Sequence, residues 1–521
     1  MAAGIGAAAF DWGALRAWAQ NVEPKSAYPV VVIGSGIGGL TVAAYLAKAG
    51  FPVTVVEKGH QPGGYAVTFQ RGGFTFEVTP HYAINIGPFL TELGVREKVD
   101  LVELPHGSHA IGRDFEVKLP FNDPQGTLAT LSATFPADAA GLRSLMAELA
   151  ALLREYQMPV TDAGAMRSTH PVTSRLLAEN GQQLLDRHIG DPKLGAVLGA
   201  LGYAYGRPPS EQTAIPYGLG LALFLQTGFR QYVKHAPLSL AQALAHAVES
   251  GGGNILLGTE AAAILTKDGA AFGVRTAEGR DLPARAVISN VNAPATFGKL
   301  LGPGAVPVAY SERLQTYRIS TSTFLVSLGL NRPLRGSIEG YSHVILPDSY
   351  DWNASFAAMR AGHFAAHGFA VYTYDNVEPR FAPPGKGTVG LLMMCNYEPW
   401  RKFEADYFAG RKEAYVREKE RIADILIDRA EQRLIPGLRS MIEVRDVASP
   451  LTNLRYTGNP EGAILGYDCT PDNCGPTRIS GRTPLPGLYL ASAWGNPGGG
   501  INPVMRGAQG VFRALMADWK V

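Results

Sequence analysis

The pattern of apolar and polar residues predicts both helices and buried strands in the middle of this chain. Apolar residues recur at helical spacing over 142–153 (Leu142, Leu145, Met146, Leu149, Leu153) and over 416–434 (Val416, Ala423, Ile427, Ala430, Leu434), and Pro436 ends the second helix. The almost continuous apolar runs at 322–328 and 388–394 are typical of strands. We therefore expect a sheet covered by these helices.

A strand, a glycine-rich turn and a helix follow one another near residue 30. The β-branched run ends at Ile33, the turn reads Gly34-Ser-Gly-Ile-Gly-Gly39, and an alanine-rich helix is predicted over 40–49, with Gly50 as its stop. The first glycine permits a sharp turn, the second lets the backbone approach a pyrophosphate, and the third lets the helix lie close to its strand. A helix N-terminus also favours negative charge. The pattern predicts a dinucleotide cradle.

An acidic residue stands where such a cradle needs one. Glu57 ends the next apolar strand, Val53–Val56, close to the offset of about 20 residues expected for a carboxylate that binds the adenosine ribose hydroxyls. A carboxylate at this place argues against a 2′-phosphate. The sequence therefore predicts an ADP-containing cofactor.

Composition excludes several classes of function. The 521 residues are 46% hydrophobic and 18% charged, and the net charge of +2 comes without a basic run, so we expect no nucleic-acid partner. The three cysteines are too few for a disulfide framework, and we expect Cys469 and Cys474 to be ordinary thiols rather than a redox pair. The sequence contains no zinc-type cluster of Cys and His, so we expect no metal. It has no run of about 18 apolar residues that would span a bilayer as one helix.

Two further segments carry a resemblance to a known family. A Pro62-Gly-Gly64 loop follows Glu57, and the segment 486–505 reads as a strand, the turn Trp494-Gly-Asn-Pro-Gly-Gly-Gly500 and a final helix. With the cradle, these segments resemble the phytoene desaturase, carotenoid isomerase and retinol saturase family of FAD oxidoreductases. The resemblance implies that FAD is the cofactor and that the C-terminal turn holds the isoalloxazine end.

The resemblance also implies the fold and its domains. We expect a two-lobed α/β protein with a discontinuous, Rossmann-like FAD-binding domain (28–105, 235–300 and 450–521), an α+β substrate-binding domain (106–234 and 301–449) and an N-terminal extension (1–27). The segment 254–264 resembles the family's strand over the adenine, and 286–292 resembles the strand that returns to the cofactor domain. The residues implied to hold FAD are Gly34, Ser35, Gly36, Ile37, Gly38, Gly39, Glu57, Lys58, Gly63, Gly64, Tyr65, Ala66, Ala262, Asn290, Trp494, Gly495, Gly499, Gly500 and Ile501.

Candidate proton donors follow a predicted hairpin. In this family the hairpin at 71–76 approaches the flavin, and the pair His81-Tyr82 after it resembles the saturase branch. A histidine can deliver a proton near neutral pH, and Tyr82 could relay one. A histidine that is merely hydrogen-bonded within a turn is the alternative.

The substrate is suggested only by the apolar stretch 215–225. Its residues could line a tunnel for a long hydrophobic molecule, with peripheral membrane contact, or could be ordinary core. The resemblance implies saturation, desaturation or isomerisation of carbon–carbon double bonds in a carotenoid, retinoid or unsaturated fatty acid, with an unknown electron donor or acceptor. A flavin-free lipid-binding or prenyl-binding escort protein and an amine oxidase remain as alternatives on the same fold.

The N-terminal extension bears on localisation. Residues 1–10 are small and apolar and contain no Lys or Arg, and Ala17-Trp-Ala-Gln20 has the small-x-small form of a leader-peptidase site. One interpretation is a truncated export signal, which would place the protein in the periplasm. The other is a terminal helix with Trp12, Leu15 and Ala19 on one face of a cytoplasmic protein with peripheral membrane association.

Overall fold

A parallel sheet forms the centre of one half of the molecule. The computed structural model describes residues 27–520 except 105–107, 121–122, 159–165, 203–205, 228–229, 471 and 475–476. Within these residues the sheet has five parallel strands, in the spatial order Asn254–Leu256, Val53–Val56, Val30–Ile33, Ala286–Ser289 and Leu488–Leu490. Their apolar runs fit a sheet that is covered on both faces. All five strands fall within 28–105, 235–300 and 450–521, while the domain boundaries stay a prediction.

Helices cover one face of this sheet and a second sheet covers the other. The helix Ile37–Lys48 packs between the helices Pro237–Ser250 and Ile501–Asp518. It begins at Ile37, three residues before the predicted start, so part of the glycine-rich turn is already helical. The opposite face packs against the antiparallel strands Ala261–Lys267, Ala270–Thr276 and Asp281–Pro283.

The prediction of one strand over 254–264 is wrong. The chain forms two strands, Asn254–Leu256 and Ala261–Lys267, which belong to different sheets. Between them Gly258 takes a φ of +66°, a left-handed conformation that glycine adopts without strain and that interrupts the extended chain.

The other half is built on a large, mostly antiparallel sheet. In spatial order its strands, among the described residues, are Ile442–Ala448, Ser322–Leu330, Gly387–Cys395, Phe369–Thr373, Ser342–Ile345, His109–Ile111 and Glu116–Lys118. The predicted strands at 322–328 and 388–394 are confirmed, and they are direct neighbours. Two small sheets link the halves: Thr68–Arg71 with Phe74–Glu77, which confirms the hairpin, and Ala83–Ile84 with Arg230–Val233 and Leu101–Glu103.

Helices complete this half, and the two predicted from spacing are confirmed as Ala139–Gln157 and Glu413–Arg433. Val416, assigned to the apolar face of the second, is 41% exposed and lies off its buried side. The remaining α-helices in the described ranges are Gly87–Leu93, Pro124–Thr134, Met166–Thr169, Pro171–Leu176, Gly181–Asp186, Pro192–Gly202, Ala214–Ala222, Ala293–Ala295, Val308–Thr316, Trp352–Arg360, Glu398–Arg401, Glu404–Phe408, Leu438–Met441 and Pro450–Thr457.

Two sequence expectations concern membranes and the N-terminus. No described helix is long and apolar enough to cross a bilayer. Residues 1–26, and with them the predicted terminal helix or export signal, lie outside the described part of the chain.

Candidate functional site

One large cavity runs from the carboxyl ends of the parallel strands to the large sheet. Its volume is about 1260 Å³, and its wall draws on both halves of the molecule. A pocket for one small ligand usually measures about 300–1,000 Å³. This cavity therefore has room for a cofactor and part of a substrate together, and it lies where ligands bind in open α/β sheets.

Most residues predicted to form the site line this cavity. They are Gly34, Gly36, Ile37, Gly38, Glu57, Lys58, Gly63, Gly64, Tyr65, Ala66, His81, Tyr82, Asn290, Trp494, Gly499, Gly500 and Ile501. Ser35, Gly39, Ala262 and Gly495 are not among the described lining residues. Each of these four has a different position, given below.

The cradle is closely packed at its glycines. Gly34 has a φ of +95°, and a Cβ added at Gly39 would lie 2.2 Å from the Gly34 carbonyl oxygen. Gly39 thus allows the helix to pack closely against its strand, and it does not line the cavity. Asn290 wedges into the turn, because a Cβ at Gly36 would lie 2.6 Å from its Oδ1, while its Nδ2 donates to the carbonyl of Ala491. Side chains larger than hydrogen would disrupt this turn.

Glu57 is held firmly at the edge of the cavity. Its Oε2 accepts hydrogen bonds of 2.8 Å from both the backbone N–H and the hydroxyl of Ser35, and its Oε1 accepts one of 2.7 Å from the N–H of Gly59. Ser35 is fully buried and acts through Glu57 rather than on the cavity. A carboxylate has about four acceptor sites, so Glu57 keeps capacity for ribose hydroxyls.

The Pro-Gly-Gly loop is tied to the cradle. Gly63 donates its N–H to the Ser35 carbonyl at 2.9 Å, and it takes a φ of +128° that a side chain would oppose. Tyr65 donates its hydroxyl to the carbonyl of Ala463 at 3.2 Å, and burial raises the pKa of Tyr65 to about 12. The loop therefore closes the cavity between the cradle and the segment that leads to the C-terminal turn.

On the strand expected to lie over the adenine, Ala261 lines the cavity and Ala262 does not. Ala261 is buried, whereas Ala262 is exposed. Neighbouring side chains of a strand point to opposite faces, so the choice of residue depends on the phase of the strand. The predicted residue is one position from the one on the wall.

The C-terminal glycine turn forms the opposite end of the crevice. A Cβ at Gly499 would lie 2.7 Å from the Cα of Leu465, so the turn packs tightly against that backbone. The helix Ile501–Asp518 starts at the cavity wall, and Trp494 packs edge-on against Tyr467 at 4.8 Å. Gly495 lies behind the wall, where its carbonyl accepts a hydrogen bond from Arg478 Nε at 2.9 Å.

His81 is oriented by two buried groups that the sequence analysis missed. The His81 Nδ1 lies 3.1 Å from Glu77 Oε2, and the Tyr232 hydroxyl donates to Glu77 Oε1 at 2.6 Å. The Tyr232 ring stacks on the imidazole at 4.7 Å. Burial and the nearby Glu77 raise the pKa of Tyr232 well above its ordinary value, which keeps Tyr232 a donor. Glu77 ends the strand Phe74–Glu77 and the described residues from there to His81 form no helix, so neither its spacing from His81 nor any local feature of Tyr232 signalled these contacts.

The Nε2 atom of His81 is the ring nitrogen that is available for proton exchange. A carboxylate only accepts hydrogen bonds, so Nδ1 carries the proton toward Glu77, and Nε2 is left to exchange another. The His81 Nε2 is buried and has no hydrogen-bond partner among the described residues, although His81 lines the cavity. Tyr82, beside it, packs edge-on against Tyr341 at 5.7 Å.

An apolar arm extends the cavity into the second half. The stretch 215–225 forms the helix Ala214–Ala222 and a following π-helical turn, with Tyr217 and Leu221 in the core and the opposite side on the cavity. One face of this stretch is therefore core and the other lines the cavity, while its role as a substrate tunnel stays a prediction. The arm is lined by Leu153, Tyr156, Leu201, Ile215, Pro216, Leu219, Leu223, Leu325, Val344, Ala370, Leu392 and Met394.

A cluster of charges lines the wall near the base of this arm. Asp468 Oδ2 pairs with Arg207 Nε at 2.9 Å and with Arg318 Nε at 2.6 Å. Glu211 lies within 3.6 Å of the same two guanidinium groups. Burial raises the pKa of Asp468, and the two arginines oppose that shift. The cluster clamps segments from both halves together.

The expectation of two ordinary thiols at Cys469 and Cys474 is wrong. The two residues form a disulfide with their Cα atoms 4.8 Å apart, and both line the cavity. A turn brings their Cα atoms within the range that a disulfide requires, which spacing alone does not reveal. Cys395 is buried as a free thiol, and burial raises its pKa to about 12.

Comparison with sequence families identifies one broad relationship. The model of the family described as flavin containing amine oxidoreductase matches residues 37–508 of this chain. The match begins within the first glycine-rich turn and ends in the last helix, so it includes the C-terminal glycine turn and both halves of the molecule.

Individual relatives are similar over nearly the whole chain. Prolycopene isomerase 2 from an Oncidium hybrid cultivar is 26% identical over 500 residues, 88% of this chain and 82% of that protein. Human all-trans-retinol 13,14-reductase is 26% identical, covering 91% and 83%. Lycopene-forming phytoene desaturase of Pseudescherichia vulneris is 25% identical, covering 94% and 99%.

Solved structures share the fold. An oxidoreductase from Methanosarcina mazei superposes with a TM-score of 0.64 at 20% identity, over 94% of this chain and 99% of that one. A putrescine oxidase double mutant gives 0.67 at 16% identity, over 94% and 99%. These neighbours establish the two-domain architecture of flavin-dependent oxidoreductases for this chain.

Proposed function

The chain belongs to the flavin-containing amine oxidoreductase family, and from this premise we propose that it uses FAD to act on carbon–carbon double bonds of a long hydrophobic polyene or lipid. One observation carries the proposal: a single cavity is lined by both glycine-rich turns, by the apolar arm and by His81, whose Nε2 has no hydrogen-bond partner among the described residues. The relatives named prolycopene isomerase, retinol 13,14-reductase and phytoene desaturase support the substrate class.

FAD rather than FMN fits the residues at the two ends of the crevice. Gly34, Gly36 and Glu57 would hold the ADP portion, and Gly500 and Ile501 the ring end. FMN has no adenosine ribose, so it would leave the fixed carboxylate of Glu57 without a ligand. When bound, the flavin supplies two-electron chemistry as a donor or acceptor of hydride.

His81 is the group that would hold or move the proton. Glu77 accepts the hydrogen bond from Nδ1, and Tyr232 fixes Glu77, so the imidazole cannot turn without breaking buried contacts. Proton exchange then takes place at Nε2. Addition of hydrogen needs a proton donor, removal of hydrogen needs a proton acceptor, and isomerisation by transient protonation needs both in turn. An imidazole nitrogen can take each of these roles.

The wall favours an apolar substrate over an amine. Near the arm, the carboxylates of Glu211 and Asp468 are already paired with the guanidinium groups of Arg207 and Arg318. A protonated amine would therefore have no unpaired carboxylate there among the described residues, and burying its charge without a partner is costly. A polyene meets the apolar side chains of the arm instead.

The test is direct. Denatured protein should release FAD, identified by mass, and anaerobic incubation of oxidised and reduced protein with carotenoids, retinoids and unsaturated fatty acids should give a product. Gain of two hydrogens, loss of two hydrogens or an isomer of equal mass would separate saturation, desaturation and isomerisation. Release of FMN would contradict the cofactor assignment. Binding of lipid without flavin would favour the escort protein, and turnover of amines alone would favour the amine oxidase.

His81 gives a sharper version of that test. Replacing His81 by Gln should leave flavin content and spectrum unchanged and slow turnover by about 10²–10⁴-fold, the usual contribution of general acid–base catalysis. His363→Gln, at an exposed position outside the described cavity wall, is the matched control. Equal turnover in the two variants would remove His81 from the chemistry.

We also propose that the arm opens toward a membrane surface, where hydrophobic substrates are dissolved. Tyr156 lines the cavity and is 53% exposed, and Met158 beside it is 44% exposed, at the end of the helix Ala139–Gln157. Wild-type protein should sediment with phosphatidylcholine vesicles, and changing Tyr156 and Met158 to Ser should weaken this. Val308→Ser, at a 70% exposed position away from the cavity, should not. Equal sedimentation of all three would contradict the proposal.

A further inference from the structure

Arg478 is a buried arginine that lies directly behind the C-terminal glycine turn. It is 5% exposed and lines the cavity. Its Nε donates to the Gly495 carbonyl at 2.9 Å, and its Nη2 donates to the carbonyls of Tyr467 at 2.9 Å and Ala493 at 3.1 Å. A Cβ at Gly498 would lie 3.4 Å from its Cζ. The guanidinium group therefore fixes the backbone on both sides of the turn.

The charge of Arg478 is not neutralised by contact with a carboxylate. Its hydrogen bonds go to neutral carbonyls, and among the described residues it forms no ion pair within 4.0 Å. Asp468, whose charge acts on it from nearby, already pairs with Arg207 and Arg318. Burial lowers the pKa of Arg478 to about 10, so it stays charged at neutral pH. Burying a charge without a counter-ion is costly, and such groups cluster at functional sites.

The position of this charge suggests a role for Arg478 toward the bound flavin, and that role rests on the proposed function. We propose that Arg478 is a positioning residue that fixes the turn for the flavin ring and stabilises negative charge on the ring when it is reduced. Reduction adds two electrons and one proton to the oxidised ring and leaves it with one negative charge. A fixed positive charge favours that form over the form that takes up a second proton.

The effect has a measurable size. An opposite charge near an ionisable group shifts its equilibrium by at least about tenfold. For a two-electron couple a tenfold change corresponds to about 30 mV. Replacing Arg478 by Met should therefore lower the midpoint potential of the bound flavin by about 30 mV or more. Arg478→Lys retains the charge and should restore much of the potential.

The experiment is an anaerobic reductive titration with dithionite against reference dyes, with bound flavin measured in each variant. Arg482→Met is the matched control, because Arg482 lies on the same segment but is half exposed and pairs with Asp518. A lower potential in Arg478→Met, with recovery in Arg478→Lys and no change in Arg482→Met, supports the proposal. A flavin-loaded Arg478→Met with the wild-type potential overturns it. Wild-type protein that binds no flavin would instead refute the proposed function.

A second measurement does not depend on folding of the variants. In wild-type protein the potential should fall by about 30 mV per pH unit, the value for one proton per two electrons. This slope should persist in the acidic range where free reduced flavin takes up its second proton. A slope of about 60 mV per pH unit in that range would mean two protons are taken up, and would overturn the proposal even if Arg478→Met does not fold.

Discussion

Gly39 offers the sharpest test of the cradle, because it shapes the site without lining it. A Cβ added there would lie 2.2 Å from the Gly34 carbonyl oxygen and 3.0 Å from the Cβ of Asn290. Neither neighbour moves freely: Gly34 belongs to the turn with positive φ, and Asn290 donates to the Ala491 carbonyl. In Gly39→Ala the helix Ile37–Lys48 must therefore move away from its strand.

The size of the effect follows from the overlap. Adding a methyl group to a closely packed site costs about 1–3 kcal/mol, and the 2.2 Å separation places this variant at the upper end of that range. If the strain is relieved only when the cradle opens, flavin binding weakens by the same free energy, roughly 5- to 150-fold. The free energy of unfolding of the flavin-loaded protein should fall with it.

The assay compares two glycine-to-alanine changes in helices. Gly510, in the last helix, is exposed and has no described atom within 4 Å of an added Cβ. Its replacement by Ala should be neutral or stabilise the helix by about 0.5–1 kcal/mol. Flavin retained after gel filtration and the dissociation constant on reconstitution are measured for both. A Gly39→Ala protein that binds flavin as tightly as Gly510→Ala would show that the contact between Gly39 and Gly34 is not close enough to shape the site.

Two further predictions concern a charge and a proton. Glu57→Ala should weaken FAD binding by about 1.5–3 kcal/mol, because the ribose loses a charged acceptor; unchanged affinity in a titration would show that the ribose contact is misassigned. Burial lowers the pKa of His343 and of His367 to about 3, while an unfolded histidine titrates near 6.5. The unfolded chain therefore binds more protons between these values, so stability is fully present above about pH 6.5 and falls as the pH drops toward 3. Urea unfolding at a series of pH values should show this slope, and His343→Gln should reduce it; an equal slope in both proteins would contradict the assignment.

Local spacing was enough to predict the strand, turn and helix of the cradle. The cradle and Glu57 lie within 24 residues of sequence, and each step depends on a local property: a strand, a turn that needs glycine and a helix start. The paired strands at 322–330 and 387–395 were predictable from their nearly continuous apolar runs, and the hairpin was expected from the family resemblance. These elements would form in the same way in many tertiary contexts.

The buried partner of Glu77 and the arginine behind the C-terminal glycine turn were not predictable in this way. Tyr232 is 155 positions from Glu77 and meets it only in the folded chain. Arg478 carries no local signal, because its partners are backbone carbonyls that any sequence supplies. The sequence did not show that Ala261 rather than Ala262 lines the cavity, because a bulge between Ala261 and Ala263 interrupts the alternation of the strand. In each case the missing information is tertiary.

One stretch of backbone, 463–470, contacts both the wall of the apolar arm and the C-terminal glycine turn, and it fixes the distance between them. Gly466 accepts a hydrogen bond from the N–H of Ser320, and an added Cβ there would lie 2.5 Å from the Ala493 carbonyl oxygen next to the turn. Asp468 on the same stretch holds Arg207 and Arg318 from the substrate half. The substrate wall and the turn therefore cannot move independently. A long apolar substrate has few polar groups by which an enzyme can position it. A fixed distance between the substrate wall and the C-terminal glycine turn would therefore help to place one double bond of such a substrate correctly.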